Sequence, residues 1–276
     1  MKDCPKIMLN DLLQLKDLEN VKIRFNLMFG GNWNPVELFK NNDFETLITG
    51  HYSDSNSKNN FKTGQITIGL IRIDDRNDLW LLFHIGKITK ELHKKNSIAY
   101  EYEELSEYKK YFGRMTVKYQ NHSQKMIRNA TSVINDCEIY EILPDIFDDD
   151  EFPGYDKVNL TWNDLKRVIE KDSWKTALKN QKGIYLITDT FTGKRYVGSA
   201  YGKHMILGRW KTYVQTGNGG NSELCKISFD YIKANFRYAI LEIFKSTTDD
   251  KTIIERESWW KALLLTRDER FGYNKN

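Results

Sequence analysis

The 276-residue chain has few of the residues on which fibrous or disulfide-stapled proteins depend. It holds 4 prolines and 17 glycines, too few for a collagen-like or Gly/Pro-rich architecture. Its 3 cysteines, Cys4, Cys137 and Cys225, lie far apart and form no C-x-x-C pair. An odd, scattered set of thiols favours neither a zinc cage nor a disulfide framework, and it is typical of a reducing compartment.

Long apolar segments are also missing from the sequence. No run of about 18 uncharged apolar residues occurs, so we expect no transmembrane helix and no membrane partner. The first residues, Met1 to Pro5, do not lead into the apolar core of a secretory signal. Together with the cysteine pattern, these absences predict a cytoplasmic protein.

Charge is divided unevenly between the two halves of the chain. Residues 161–276 hold 21 Lys and Arg against 13 Asp and Glu, a net charge of +8, whereas the first 160 residues carry −4. The basic half is suited to a polyanion, although a solvated basic surface without a partner would show the same excess. Hydrophobic residues make up 40% of the chain, which is enough for a core in each of two domains.

An acidic, turn-rich stretch marks the predicted boundary between these domains. The sequence DDDEFPG occupies residues 148–154. Thr161 and Asp164 then form a capping-box pattern, which predicts a helix from Thr161 to about Lys171. We therefore expect an N-terminal domain over residues 1–150, a linker with a bridging helix over residues 151–179, and a C-terminal domain over residues 180–276.

The N-terminal domain is predicted to be rich in strands. Alternating apolar and polar residues indicate strands at 21–27, 65–73, 79–85, 115–119 and 138–143, with a turn at 74–78 and a short helix at 124–134. These elements predict a β-rich mixed domain, either a small barrel or a curled sheet with a few helices. His84 and His122 have no partner at metal-ligand spacing, so we expect structural roles for both.

Two tyrosines are predicted to meet in the C-terminal domain. The pattern indicates a strand at 183–188, a hairpin with Gly193 at its bend and a return strand from Arg195. Tyr185 and Tyr196 would then lie near each other across an antiparallel pair.

Further functional side chains follow along the chain. Arg209 and Tyr213 share one face of a helix predicted at 206–214. A third strand is predicted at 236–244, and a final helix at 252–265 carries Glu257. The sequence closes with Gly272-Tyr273-Asn274.

Gly183-Ile184-Tyr185 and Tyr196-Val197-Gly198 resemble the signature of the GIY-YIG nuclease superfamily, with Val in place of Ile in the second triplet. The order of Arg209, Tyr213, Glu257 and Asn274 agrees with that family, and the resemblance covers about residues 180–276. It implies an α/β sandwich with a three-stranded antiparallel sheet flanked by helices, and thus an α+β fold for the chain. It also implies one divalent metal ion and hydrolysis of a DNA phosphodiester.

The resemblance further implies a role for each matching residue. Tyr185, Tyr196, Arg209 and Tyr213 match catalytic positions, Glu257 matches the metal-binding glutamate, and Asn274 matches the terminal asparagine. Glu255 is an alternative acid, but Glu257 lies closer to the aromatic pair Trp259-Trp260.

The same residue types suit phosphodiester cleavage, which needs an activated water, charge compensation at phosphorus and help for the leaving oxygen. Arg209 offers a guanidinium fork for phosphate oxygens, and Glu257 is a hard oxygen ligand of the kind that Mg²⁺ accepts. A tyrosine, with a pKa near 10, is a weak base unless a cation stabilises its phenolate. The sequence leaves open whether Tyr185 or Tyr196 is the base.

Auxiliary roles are expected for several residues around these. The candidate cations beside the tyrosines are Lys194, Arg195, Lys203 and Lys211. His204, in the loop before the arginine helix, is a candidate acid or base.

We therefore expect a restriction or defence-type endonuclease that acts on double-stranded DNA with one Mg²⁺ or Mn²⁺ ion per active site. The N-terminal domain would choose the target, by reading a groove or by holding an extruded, modified base. Cutting both strands with one active site requires a homodimer or sequential nicking. The alternatives are a structure-specific repair or mobile-element nuclease, and a non-catalytic DNA-binding protein with a relic nuclease fold.

Overall fold

The structure is a computed structural model that describes residues 5–28, 33–54, 60–74, 78–94, 97–123 and 125–275. It divides into two compact units, Met1–Asp148 and Asp149–Asn276. Cys4, the middle of the turn predicted at 74–78 and the first residue of the helix predicted at 124–134 lie outside the described residues. In the described part of the chain, no helix combines the length and apolar character needed to cross a membrane.

The N-terminal unit is built on a mixed sheet. Its strands are β1 (Val21–Asn26), β2 (Ile66–Asp74), β3 (Leu79–Glu91), β4 (Tyr100–Glu104), β5 (Met115–Lys118), β6 (Ile127–Asn129) and β7 (Glu138–Ile142). The strand order is β6-β1-β2-β3-β5-β7. β3 pairs with β5 through residues 79–81 and with β4 through residues 86–91. β1 and β2 run parallel, whereas the other pairs are antiparallel. This curled mixed sheet agrees with the coarse prediction of a β-rich mixed fold.

Helices of the N-terminal unit are short: α1 (Leu9–Leu13), α2 (Pro35–Lys40) and α3 (Phe44–His51). The helix predicted at 124–134 is wrong, because residues 127–129 form β6 and two 3-10 turns, Ala130–Ser132 and Ile134–Asp136, follow it. Ile127, Ala130 and Ile134 have helical spacing, but the backbone around Ile127 pairs with the edge of β1 instead.

Several polar side chains are buried together in this unit. The Tyr52 hydroxyl lies 2.9 Å from Thr67 Oγ1 and 2.8 Å from His84 Nε2. The His84 and His51 rings lie 5.8 Å apart, and Glu104 approaches His84 Nδ1 at 3.7 Å. Burial lowers the pKa of His84 to about 4, against the attraction of Glu104, and it lowers the pKa of His51 well below its usual value.

The C-terminal unit combines a second sheet with helices on both faces. Its strands are β8 (Asn159–Thr161), β9 (Gln181–Asp189), β10 (Arg195–Ala200) and β11 (Phe236–Lys245). Its helices are α4 (Trp162–Val168), α5 (Asp172–Leu178), α6 (Met205–Thr216), α7 (Phe229–Asn235) and α8 (Asp250–Leu263). The strand order is β10-β9-β11-β8, and all the pairs are antiparallel.

This arrangement corrects two expectations about the C-terminal half. The sheet has four strands rather than three, because β8 pairs with the start of β11. The region predicted as a linker, 151–179, lies within the second unit, where α4 and α5 bury Trp162, Leu165 and Trp174 in its core. The capping box at Thr161 and Asp164 is confirmed, and the helix that it begins, α4, ends at Val168 rather than near Lys171. A second helix, α5, follows from Asp172.

Alternate residues of the hairpin formed by β9 and β10 face different helices. Tyr185, Ile187 and Tyr196 belong to the core that contains α6, and Ile184 and Val197 belong to a smaller core that contains Ile253 of α8. The period of two along each strand therefore places both signature tyrosines on the α6 face.

Both signature glycines lie where another group comes very close. Gly198 is opposite Tyr185 in the ladder, and an added Cβ would overlap the ring and hydroxyl of Tyr185. An added Cβ at Gly183 would lie 2.7 Å from the Glu242 carbonyl oxygen and 2.8 Å from Ile206 Cδ1 of α6. These glycines therefore allow a tyrosine and a helix to pack directly on the sheet.

We expect acid to destabilise the N-terminal unit selectively. The folded unit holds His51 and His84 neutral, whereas the unfolded chain takes up protons near pH 6.5, so their contribution is present above pH 6.5 and is lost as the pH falls towards 4. Urea unfolding followed by hydrogen exchange of β2 and β3 peptides, at pH 7 and pH 5, measures the loss. His84→Gln should show a smaller loss, and an equal loss in both proteins would contradict this origin.

Gly198→Ala should lower the free energy of unfolding by about 1–3 kcal/mol, because the added methyl group forces the Tyr185 ring out of its place. Thermal unfolding of the single variants and of the double variant with Tyr185→Ala tests the cause. In the Tyr185→Ala background, the Gly198→Ala change should cost much less. A cost that is the same in both backgrounds would show that the close approach to Tyr185 is not responsible.

Candidate active site

An open cavity of about 580 Å³ lies at one edge of the C-terminal sheet. Four of the predicted site residues line it: Tyr196, His204, Arg209 and Glu257. The other lining residues are Ser199, Ala200, Tyr201, Met205, Gly208, Thr212 and Lys261. The structure therefore brings a phenol, a guanidinium and a carboxylate from three separate elements to one cavity.

The edge position of β10 explains how side chains from both faces of the sheet reach this cavity. Tyr196 faces the α6 side, where Arg209 projects from α6. Ser199, an odd number of residues further on, points to the opposite side, where its hydroxyl donates to Glu257 of α8 at 2.6 Å. The two helix layers thus meet around the edge of β10.

The C-terminal residues seal the first half of this edge. The Arg195 N–H donates to the Phe271 carbonyl and the Arg195 carbonyl accepts from the Tyr273 N–H, both at 2.9 Å. Asn274 continues the pairing with its side chain, which accepts from the Val197 N–H and donates to the Val197 carbonyl, also at 2.9 Å. Asn274, predicted as an auxiliary site residue, is therefore a buried partner of β10 and does not line the cavity.

Arg209 is held by a buried pair of phenols. Its Nε donates to the Tyr185 hydroxyl at 3.0 Å, and its guanidinium carbon lies 5.6 Å from the centre of the Tyr213 ring. The Tyr185 and Tyr213 hydroxyls are 3.2 Å apart, and neither tyrosine is exposed to solvent. Tyr185 and Tyr213, predicted as catalytic, thus lie behind Arg209 rather than at the cavity wall.

Burial gives these two phenols a fixed protonation state. It raises the pKa of Tyr185 above its usual value, with a further rise from Tyr196, and the positive charge of Arg209 opposes the change without reversing it. Burial also raises the pKa of Tyr213. Both hydroxyls therefore stay protonated near neutral pH and act as hydrogen-bonding groups that orient the guanidinium.

Glu257 is engaged at both of its carboxylate oxygens. Oε2 accepts the Ser199 hydroxyl, and Oε1 lies 3.0 Å from the Lys261 ammonium. The side chains of Glu257 and Lys261 are only 15% and 12% exposed, so solvent screens this pair less than an ordinary surface pair. Sequence reasoning missed Ser199 and Lys261, although the Glu-x-x-x-Lys spacing on a helix was a usable signal.

The oxygen donors at this position fit a magnesium ion. Among the described residues, no group of three or more His, Cys, Asp or Glu side chains is placed to hold a metal. A single carboxylate beside a hydroxyl, in an open cavity with room for water and phosphate, is nevertheless the donor set that Mg²⁺ commonly uses. Glu257 is the residue that would hold it.

Of the remaining residues predicted to have auxiliary roles, only His204 lines the cavity. His204 lines the cavity at the start of α6 and is exposed. Lys211 forms an ion pair with Glu170 at 2.8 Å and does not line the cavity, because it lies on another face of α6 from Arg209. Lys194 lies over the Tyr273 ring at the hairpin, and Lys203 and Arg195 are exposed outside the cavity wall.

Comparison with known proteins gives a limited result. No family model and no curated protein sequence matches the chain. Among solved structures, a mutant form of the catalytic domain of the intron endonuclease I-TevI matches with 31% sequence identity and a TM-score of 0.28. The match covers 94% of that domain and 35% of this chain.

Proposed function

We propose that this protein is a Mg²⁺-dependent DNA endonuclease of the GIY-YIG type. The observation that supports this most directly is the convergence of Tyr196, Arg209 and Glu257 on one open cavity. Each group answers a separate need of phosphodiester hydrolysis: a proton acceptor, a phosphate ligand and a carboxylate for a metal ion. The net charge of +8 over residues 161–276 suits a polyanionic substrate.

Tyr196 is the phenol that we assign as the general base. It lines the cavity, whereas Tyr185 is fully buried and its hydroxyl accepts from Arg209. The Tyr196 phenolate would take a proton from water, and the hydroxide formed would attack phosphorus as the bond to the leaving oxygen breaks.

Arg209 would hold a non-bridging oxygen of the scissile phosphate. Its Nε is used by Tyr185, which leaves the terminal nitrogens of the guanidinium for the substrate. Because Tyr185 and Tyr213 are buried and neutral, they fix the guanidinium without competing for its charge. Glu257 would hold a Mg²⁺ ion, which would supply charge neutralisation of the phosphate and stabilisation of the departing oxygen.

The N-terminal unit is the candidate for target choice in a restriction or defence-type enzyme. The catalytic residues all belong to Asp149–Asn276, which leaves the other unit without a chemical role. The first 160 residues carry a net charge of −4, so recognition there would depend on local groups rather than on general attraction to phosphate. Double-stranded DNA is the proposed substrate, and a homodimer would place two active sites on the two strands.

Glu257→Gln should abolish cleavage without any loss of DNA binding. The amide keeps the size of the side chain and can still bond to Ser199, but it is a poor ligand for Mg²⁺. Plasmid and phage DNAs, modified and unmodified, with and without Mg²⁺, provide the cleavage assay, and fluorescence anisotropy provides the binding assay. Wild-type protein that binds DNA but cuts none of these substrates would favour the non-catalytic alternative, and selective cutting of branched or nicked DNA would favour the repair or mobile-element alternative.

Tyr196→Phe should lower kcat by about 10²–10⁴-fold, the usual contribution of a general base, and should remove the alkaline rise in the pH–rate profile. Tyr185→Phe should cost less and keep that rise, because it loosens Arg209 without removing the cavity-facing phenol. Single-turnover cleavage measured from pH 6 to 10 distinguishes the two variants. If Tyr185→Phe alone flattens the profile, the assignment of the base is reversed.

A further inference from the structure

Lys261 lies at the cavity wall, but the proposed catalytic steps give it no role. Its side chain is almost as buried as that of Glu257. The two residues are four apart on α8, with the acid nearer the N-terminus, which is the favourable order for a pair on a helix. The ammonium lies 3.0 Å from Glu257 Oε1 and thus takes the oxygen that the Ser199 hydroxyl leaves free.

This contact places a positive charge where a metal ion would bind. A divalent cation on Glu257 needs an oxygen lone pair and would lie within a few ångströms of the ammonium. Two cations at that separation repel strongly in a partly buried site. Binding of the metal at Glu257 is therefore opposed by charge repulsion for as long as Lys261 stays at Oε1.

Building on the proposed function, we propose that Lys261 is a positioning residue that occupies the cation position on Glu257 in the DNA-free protein and passes to a DNA phosphate when the metal binds. The flexible four-carbon stem of lysine lets the ammonium move between partners, which the planar, hydrogen-bonded guanidinium of Arg209 does less readily. Both side chains line one cavity, so a phosphate bound there is close to each.

Metal and DNA would then bind cooperatively. Without DNA, the metal must displace Lys261 from Glu257, its one acidic partner in the described part of the chain, and leave the ammonium unpaired in a partly buried place. With DNA, a phosphate accepts the ammonium as it leaves. Coupling of this kind is reciprocal, so the metal would raise the affinity for DNA by the same factor by which DNA raises the affinity for the metal.

The first test is metal binding without DNA. Titration of Mn²⁺ followed by electron paramagnetic resonance should give a dissociation constant at least about fivefold lower for Lys261→Met than for wild type, the equivalent of about 1 kcal/mol. Lys261→Gln is a second neutral variant, and Lys261→Arg, which keeps the charge, should remain near wild type. Lys175→Met is the matched control, because it removes a lysine from its partner Asp172 on a helix outside the cavity.

The second test is DNA binding in EDTA, measured by anisotropy with a fluorescein-labelled duplex of mixed sequence. Glu257→Gln frees Lys261 and should raise DNA affinity severalfold, and this gain should disappear when Lys261→Met is added. A gain that persists in the double variant would come from the lost negative charge alone, and it would overturn the transfer of Lys261 to phosphate.

These results separate the two proposals. A Mn²⁺ site that Glu257→Gln removes but that Lys261→Met does not strengthen would refute the role of Lys261 and leave the nuclease proposal standing. A protein in which no variant shows a Mn²⁺ site dependent on Glu257 would refute the metal site of the nuclease proposal, and the role of Lys261 with it. Neither result depends on cleavage.

Discussion

The site depends on one constraint: β10 is the edge strand of its sheet. Successive residues of a strand point to opposite faces, so Tyr196 and Ser199 send their side chains into different helix layers. Only at an edge can groups from these two layers share one cavity, because everywhere else the sheet separates them. An open edge also invites pairing with other chains, and here the strand is covered along its first half by residues 271–274. The edge is thus sealed up to Val197 and remains open beside Ser199 and Ala200, where the cavity lies.

The two signature triplets have a physical meaning that is mainly structural. Gly198 leaves space for the Tyr185 ring directly opposite, and Gly183 leaves space for Ile206 of α6. Tyr185 then reaches Arg209, which α6 presents, so the glycines act on the guanidinium through packing. Within this set, Tyr196 and Arg209 are the groups at the cavity wall. The two triplets therefore serve mainly to place one arginine, Arg209, and one phenol, Tyr196, beside an open strand edge.

The C-terminal secondary structure was largely predictable, since the strands at 181–189, 195–200 and 236–245 and helices α6 and α8 have clear periods and turn residues. The fourth strand was not, because Asn159–Thr161 is too short to show a period and is defined only by its pairing with β11. The false helix at 124–134 has the same cause, since a long-range partner decided the conformation of Ile127. Among the predicted site residues, Tyr196, Arg209 and Glu257 were proposed from their order, and these three line one cavity. Lys211 does not line the cavity, and its spacing of two residues from Arg209 already indicated another face of the helix. Asn274 could not be placed from the sequence, because sequence order does not reveal which strand edge a distant side chain meets.

Charge balance explains why Lys261 and Glu257 belong in the same cavity. Arg209 and Lys261 each contribute one positive charge to its wall and Glu257 contributes one negative charge, so the ionised side chains sum to +1. A phosphodiester carries a single negative charge and balances this wall without a metal. Adding a divalent ion before the substrate arrives would raise the total to +3 in a partly buried space, where like charges are screened poorly. In the proposed reaction, a metal ion that arrived with the phosphate would let each anion bind the nearest cation, and Arg209 and Lys261 would both lie near the negative charge that develops on phosphorus. Under this proposal, the ion pair on α8 would keep the cavity near neutrality until the reacting phosphate is in place.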